Sequence, residues 1–219
     1  MKFLWSVLSL ISITLCQGQY NPVGAITMWT DGYVVTLKND TIRGRIRVGM
    51  LVNDSPATVI IRHTDQTKTK LKSDDLRLIA QRIPDFAYST GSIPQTRTFV
   101  VFERVPNPRR NNKLTLLERL TPFGGKIALY FDASGWKKTT EYTFGNFVFE
   151  TNHEEMSYIA LKNGTEVLIA KRGNLEVIHD QVFGDCPAFI HNYPTATRRD
   201  WKQFGDMVYA YNQLCEAEQ

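Results

Sequence analysis

The apolar residues of this chain change period once. From Gly32 to about Arg172 they recur mostly at every second position, and beyond Arg172 at every third and fourth. A period of two puts successive side chains on opposite faces of a strand, whereas a period near 3.6 puts them on one stripe of a helix. A chain patterned in this order is expected to fold as α+β. An N-terminal antiparallel sheet, a meander or an open barrel, precedes a C-terminal helical tail.

Tyr33–Leu37 and Thr41–Val48 flank Asn39-Asp40 and read as a hairpin. In its second arm Ile42, Ile46 and Val48 share one face with Gly44, and Arg43, Arg45 and Arg47 share the other. Such alternation implies one buried and one wet face. Further strands are expected at Ala57–Arg62, Thr67–Lys72, Leu76–Ala80, Arg97–Arg104, Ile127–Phe131, Tyr142–Phe149, Ser157–Leu161 and Glu166–Ala170. Asn163-Gly164 joins the last two and is the strongest hairpin signal in the chain. Residues 84–95 and 106–112, rich in Pro, Asn, Ser and Arg, read as surface loops.

The tail begins at Gly173-Asn174, which offers a cap before Leu175, Ile178, Val182 and the neighbouring Phe183. Pro187 biases Cys186 away from helical geometry and opens a short segment to Asn192. Thr197 is placed to cap a final helix with Trp201, Phe204, Val208, Tyr211 and Cys215 on one stripe. Trp201, Phe204 and Tyr211 therefore read as the seam that docks this helix, rather than as a ligand platform with Tyr209.

The N-terminus has the three parts of a signal peptide: Lys2, the apolar run Phe3 to Leu15, and Cys16-Gln17-Gly18 before a cut at Gln19. A run of roughly 13 residues is short of the ~20 that span a bilayer, so no membrane helix is expected in the mature chain. A retained anchor and a lipidated Cys16 are the alternatives, although Leu15 stands where a lipid-attachment site favours a small residue. Residues 1–18 are thus read as leader, 19–172 as β-rich, and 173–219 as a helical region packed on the same domain. Losing the leader leaves 201 residues carrying 25 basic and 22 acidic side chains, a balance too mild to call for a nucleic-acid partner.

Three cysteines become two with the leader, and an exported chain is expected to join Cys186 to Cys215 as a disulfide. Two chemical readings compete with it. A Cys186 thiolate beside His179 or His191 would be a nucleophile. His179, Cys186, His191 and Cys215 together offer zinc-ligand types, but at the spacing of no common zinc module.

Lys68, Lys70 and Lys72 alternate as Arg43, Arg45 and Arg47 do, so six cations share one sheet face if their strands are neighbours. The plain reading is a solvated face whose charges discourage edge pairing. The functional reading is a surface for an anionic glycan, a lipid headgroup or nucleic acid. Trp136, between Ser134-Gly135 and Lys137-Lys138, is the best single candidate for an exposed contact residue. Asp74-Asp75 and Glu154-Glu155 read as caps and turns, because a glycosidase needs carboxyls about 5–10 Å apart across a cleft. Gly124-Gly125-Lys126 lacks the rest of a phosphate loop and reads as a turn before a strand. Asn39, Asn53 and Asn163 match glycosylation acceptors in form and read as turn residues. No HExxH, GxSxG, GxGxxG or paired CxxC motif occurs, and no motif calls for a cofactor or a metal.

GYVVTLKNDTIRGRI (Gly32–Ile46), YIALKNGTEVLIAKRGNLEVI (Tyr158–Ile178) and the ending FGDCPAF…VYAYNQLC together resemble exported, functionally unassigned proteins of Bacteroidota. The resemblance covers both ends of the chain and weakens over 85 to 155. It implies a bacterial source and a cell-envelope location in the periplasm, at the outer-membrane surface or outside the cell, and it implies no activity. With no catalytic constellation in view, the expected function is a non-catalytic binding or scaffolding module, its partner an envelope protein or an anionic glycan. The alternative is an enzyme acting on glycan or peptide with a site assembled from separate strands.

Overall fold

A computed structural model describes residues 20–52, 55–91, 93–135, 141–144, 147–150 and 156–216. The leader segment, Asn53, Trp136 and Glu154-Glu155 lie outside the described residues.

The fold is α+β, with ten strands in one antiparallel sheet followed by helices. The strands are β1 (Thr30–Thr36), β2 (Thr41–Val52), β3 (Ser55–Arg62), β4 (Lys68–Lys72), β5 (Leu76–Arg82), β6 (Phe99–Asn107), β7 (Lys113–Arg119) and β8 (Ile127–Phe131). A separate hairpin, β9 (Glu141–Phe144) and β10 (Phe147–Glu150), intervenes before β11 (Ser157–Lys162) and β12 (Glu166–Lys171). The order across the sheet is β12-β11-β8-β7-β6-β5-β1-β2-β3-β4. The two predicted turns are present, with Asn39 at φ 69° and Asn163 and Gly164 at φ 51° and 72°.

Ten twisted strands rarely stay flat. Here β3 and β7 are five places apart, which in a flat sheet is about 24 Å. Yet Ser55 Oγ in β3 donates to the Leu116 carbonyl of β7 at 2.8 Å, and Arg104 of β6 donates to the Ser73 carbonyl after β4 at 3.0 Å. The β1–β7 half is therefore rolled, while β4 and β12 remain open edges. Val34, Ile46, Val59, Ile61, Ile79, Val100, Phe102 and Leu116 meet inside the roll as one cluster. Gly32 and Gly44 pair at its tightest part, where a Cβ on Gly44 would press on the Arg62 carbonyl and one on Gly32 on that of Ala80. The side chain of Gln81, paired to Gly32, lies there instead and donates to the Ile26 carbonyl at 3.0 Å.

The mouth of the roll is covered by the N-terminal segment. Glu118, buried in β7, accepts hydrogen bonds from Val23 N (2.7 Å), Gly24 N (2.8 Å) and Arg97 Nη2 (2.7 Å). Arg97 also donates to the Asn21 carbonyl at 2.7 Å. Ile26, next along the segment, is 1% exposed in the cluster.

The other half of the same face is covered by α1 (Leu175–Phe183), α2 (Pro187–Asn192) and α3 (Phe204–Glu216). The predicted stripe Trp201, Phe204, Val208, Tyr211 and Cys215 is buried against Leu129, Tyr158 and Ala160. Cys186 is extended before Pro187, as a residue preceding proline should be, and its sulfur is bonded to that of Cys215. Thr197 caps a short 3-10 turn, Arg198–Gln203, ahead of α3. Asn212 completes the edge of β8 as a strand would, accepting from Ile127 N and donating to Ile127 O, both at 2.9 Å. Asp185 accepts from the buried Lys162 (2.7 Å) and from Tyr211 (2.8 Å). Desolvation resists its ionisation, but those two hydrogen bonds and the Lys162 charge hold its carboxyl below the ordinary range.

Three expectations are corrected. β7 was not predicted, because Leu114, Leu116, Leu117 and their polar neighbours fit neither period cleanly. β6 continues through Pro106 to Asn107 and pairs with β7, where a loop was expected. The single strand expected over 142–149 is the β9–β10 hairpin.

Two predictions follow from this packing. Glu118→Gln keeps the shape but leaves Arg97 without its counter-charge, and unfolding in urea should show a loss of about 2–4 kcal/mol. Reducing Cys186–Cys215, whose loop spans 29 residues, should cost about 3.5 kcal/mol by chain entropy, read from urea midpoints with and without reductant.

Candidate functional site

The face opposite the roll's core carries the cations. Arg43, Arg45 and Arg47 all project there from β2, and Lys68, Lys70 and Lys72 from β4. The two strands are not neighbours. β3 lies between them and adds Arg62, which pairs directly with Arg45 on one side and Lys68 on the other. Asp31 of β1 pairs across from Arg45. One register row thus reads Lys68, Arg62, Arg45, Asp31, with cations directly opposed across two successive strand boundaries. Like charges in that relation destabilise a sheet.

Around this row lies an open groove of about 710 Å³. Arg43, Arg45, Arg62 and Arg82 line it, with Tyr33, Phe99, His63 and, among the described residues, a single carboxylate, Asp31. Gly32 and Gly44, paired across β1 and β2, also line it. Tyr33 and Phe99 meet edge to face, 6.2 Å between ring centres, and supply an apolar wall. At the far rim, Asp65 receives the Thr67 hydroxyl (2.6 Å) and N–H (3.0 Å), which fixes the β3–β4 turn and holds the Asp65 carboxyl below its usual range. His63 is tied to Thr69 Oγ1 at 2.8 Å.

The arginines are held in place by an aromatic side chain. Trp29, at the end of the N-terminal segment, packs against two guanidinium groups, with Arg62 4.4 Å and Arg47 4.9 Å from its ring centre. Its carbonyl accepts from Arg45 Nη2 at 2.9 Å. Arg43 lies 5.2 Å over the Tyr33 ring. Among the described residues, no carboxylate is within ion-pair distance of Arg43, Arg45, Arg62 or Arg82. Among the described residues these four guanidinium groups thus border the groove without an ion-pair partner; aromatic rings orient Arg43 and Arg62, and the Trp29 carbonyl orients Arg45.

Sequence reading found Arg43, Arg45, Arg47, Lys68, Lys70 and Lys72. It did not find Arg62, Arg82, Asp31 or Trp29, which come from four separate segments. Only Arg43 and Arg45 of the six line the groove; Arg47 backs Trp29, and the three lysines flank the site along the edge strand. The two other chemical readings of the sequence do not apply, because Cys186 and Cys215 are joined and neither sulfur is free as a nucleophile or a zinc ligand.

No protein-family model, curated protein or solved structure matches the chain. Among the described residues, no helix is long and apolar enough to cross a membrane. A buried disulfide is at home in an oxidising compartment.

Replacing Trp29 with Leu should free Arg47 and Arg62, which lie against its ring, and leave Arg45 on the main-chain carbonyl of residue 29. The expected result is loss of the dispersed Nε–H resonances of Arg47 and Arg62 in a ¹⁵N NMR spectrum, while the backbone amides of β1–β7 keep their positions.

Proposed function

We propose that this is an exported, non-catalytic binding module of the cell envelope, and that it takes an anionic partner in the groove on the β1–β3 face. The observation that carries this reading is the set of arginines ordered by Trp29 and Tyr33 that have no carboxylate within ion-pair distance among the described residues. Arginines serving only solubility are free to spread into water or to pair with acids. These are held together at a cost in repulsion, and an anion in the groove relieves that repulsion.

Export is supported by the leader pattern of residues 1–18 and by the disulfide. An envelope protein bearing an acidic segment and an anionic glycan both satisfy the charge requirement. A non-catalytic role is supported by the composition of the groove, in which Asp31 is the one carboxylate among the described lining residues and the rim carboxylate Asp65 is engaged by Thr67.

The test is retention on an immobilised polyanion such as heparin. The parent chain should be retained and should elute with added salt. The variant Arg43→Ser/Arg45→Ser/Arg62→Ser should bind at least about tenfold more weakly at physiological ionic strength. A control pair from elsewhere on the surface, Arg77→Ser/Lys113→Ser, should be retained as the parent is. Equal retention of the triple variant and the parent would remove the groove from the binding role.

A further inference from the structure

Among anionic partners, we infer that the groove takes an acidic oligosaccharide, a run of sugar rings carrying carboxylate or sulfate groups. This rests on the anion-binding reading above and adds the chemistry of the ligand.

Asp31 sits at the β1 end of the row, directly across from Arg45, yet Arg45 turns its Nη2 to the Trp29 carbonyl and forms no ion pair with Asp31. Arg82 also lines the groove without pairing to it. The Asp31 carboxylate is exposed and acts only as an acceptor. A ligand with closely spaced negative charge along its whole length, such as a polyphosphate or a nucleic-acid backbone, would bring like charge onto Asp31. Taken across β3, β2, β1 and β5, the groove lining instead presents Arg62, Arg45, Asp31 and Arg82, an acceptor flanked by cations. A sugar chain meets that order, with acid groups to Arg62 and Arg45 on one side and Arg82 on the other, and ring hydroxyls donating to Asp31 between them.

Two further features fit a sugar. Tyr33 and Phe99 form a half-buried apolar wall beside Asp31, suited to the C–H face of a pyranose ring. The groove is open and its volume, about 710 Å³, accommodates a short oligosaccharide rather than a single ion. The forked guanidinium groups match the two oxygens of a carboxylate or sulfate in a bidentate manner.

The experiment is titration calorimetry with four probes on the parent chain and on Asp31→Asn. The probes are an oligogalacturonate, a sulfated oligosaccharide of heparin type, the neutral oligogalactose of the same length, and a linear polyphosphate of matched charge. The parent should bind one or both acidic sugars at least about tenfold more tightly than the polyphosphate, and the two acidic arms tell carboxylate from sulfate. Asp31→Asn should weaken the acidic sugar by about tenfold, as loss of a hydrogen bond to a charged acceptor does. The same substitution should leave polyphosphate binding unchanged or tighter, since it removes a negative charge. Polyphosphate bound as well as the sugars, or Asp31→Asn tightening every anion alike, would overturn the sugar assignment and leave the anion site standing. Failure of all three anions to bind would overturn both.

Discussion

Glu118 is the fixed point on which the rest is hung. A carboxylate 3% exposed in the middle of a sheet is costly to desolvate, and it is stable there because three donors converge on it. Two of those donors are backbone N–H groups of the segment that precedes β1. By binding Val23 and Gly24, Glu118 sets where that segment crosses the roll. Ile26 then drops into the core, and its carbonyl receives Val48 N at 3.1 Å and Gln81 Nε2 at 3.0 Å. Three residues later Trp29 emerges on the other face, against Arg47 and Arg62. The ordering of the groove's arginines is therefore coupled through the segment Val23–Trp29 to a buried ion pair inside the roll.

The sheet covers one face by two different means. The β1–β7 half closes on itself, with side chains from five or more strands meeting as one cluster. The β8–β12 half stays open and borrows the C-terminal helices, fastened by Cys186–Cys215, by Asn212 on β8 and by Asp185 on Lys162. The groove lies on the outer face of the rolled half, with the paired Gly32 and Gly44 in its lining.

Much of this is legible in one dimension. The switch of period gives the α+β order, the Asn-containing turns give two hairpins, and counting cysteines after the leader gives the staple. Alternation also puts Arg43, Arg45 and Arg47 on one face of their strand and Lys68, Lys70 and Lys72 on one face of theirs. What periodicity cannot supply is lateral register. Arg62 ends a strand whose own pattern says only that it points outward, and nothing in its neighbourhood pairs it with Arg45 and Lys68. Asp31 and Arg82 likewise meet only through β1 and β5. Trp29 lies in an unpatterned stretch, and Glu118 in the strand whose leucines hid its period. Trp136, the contact residue the sequence favoured, is outside the described residues, so the site rests on other aromatic residues.

The remaining question is why a sheet should tolerate arginines directly opposed. Protection of an open edge is the ordinary reason for a charged strand, and it accounts for Lys68, Lys70 and Lys72 on β4, the edge itself. It does not account for Arg62 one strand in or Arg45 two strands in, where both ladder sides are already paired. Nor are these interior arginines neutralised as the other interior ones are. Arg97, Arg109 and Arg119 each meet a carboxylate at 2.7 to 2.8 Å. Among the described residues, the structural arginines thus have acids and Arg43, Arg45, Arg62 and Arg82 have none within ion-pair distance, while Tyr33 and Trp29 pack on the guanidinium groups of Arg43 and Arg62. Stacking on an aromatic ring fixes a guanidinium group without using up its charge, whereas an ion pair fixes it by cancelling the charge. A fold that holds its outward arginines in the first way keeps their charge available to something outside the chain.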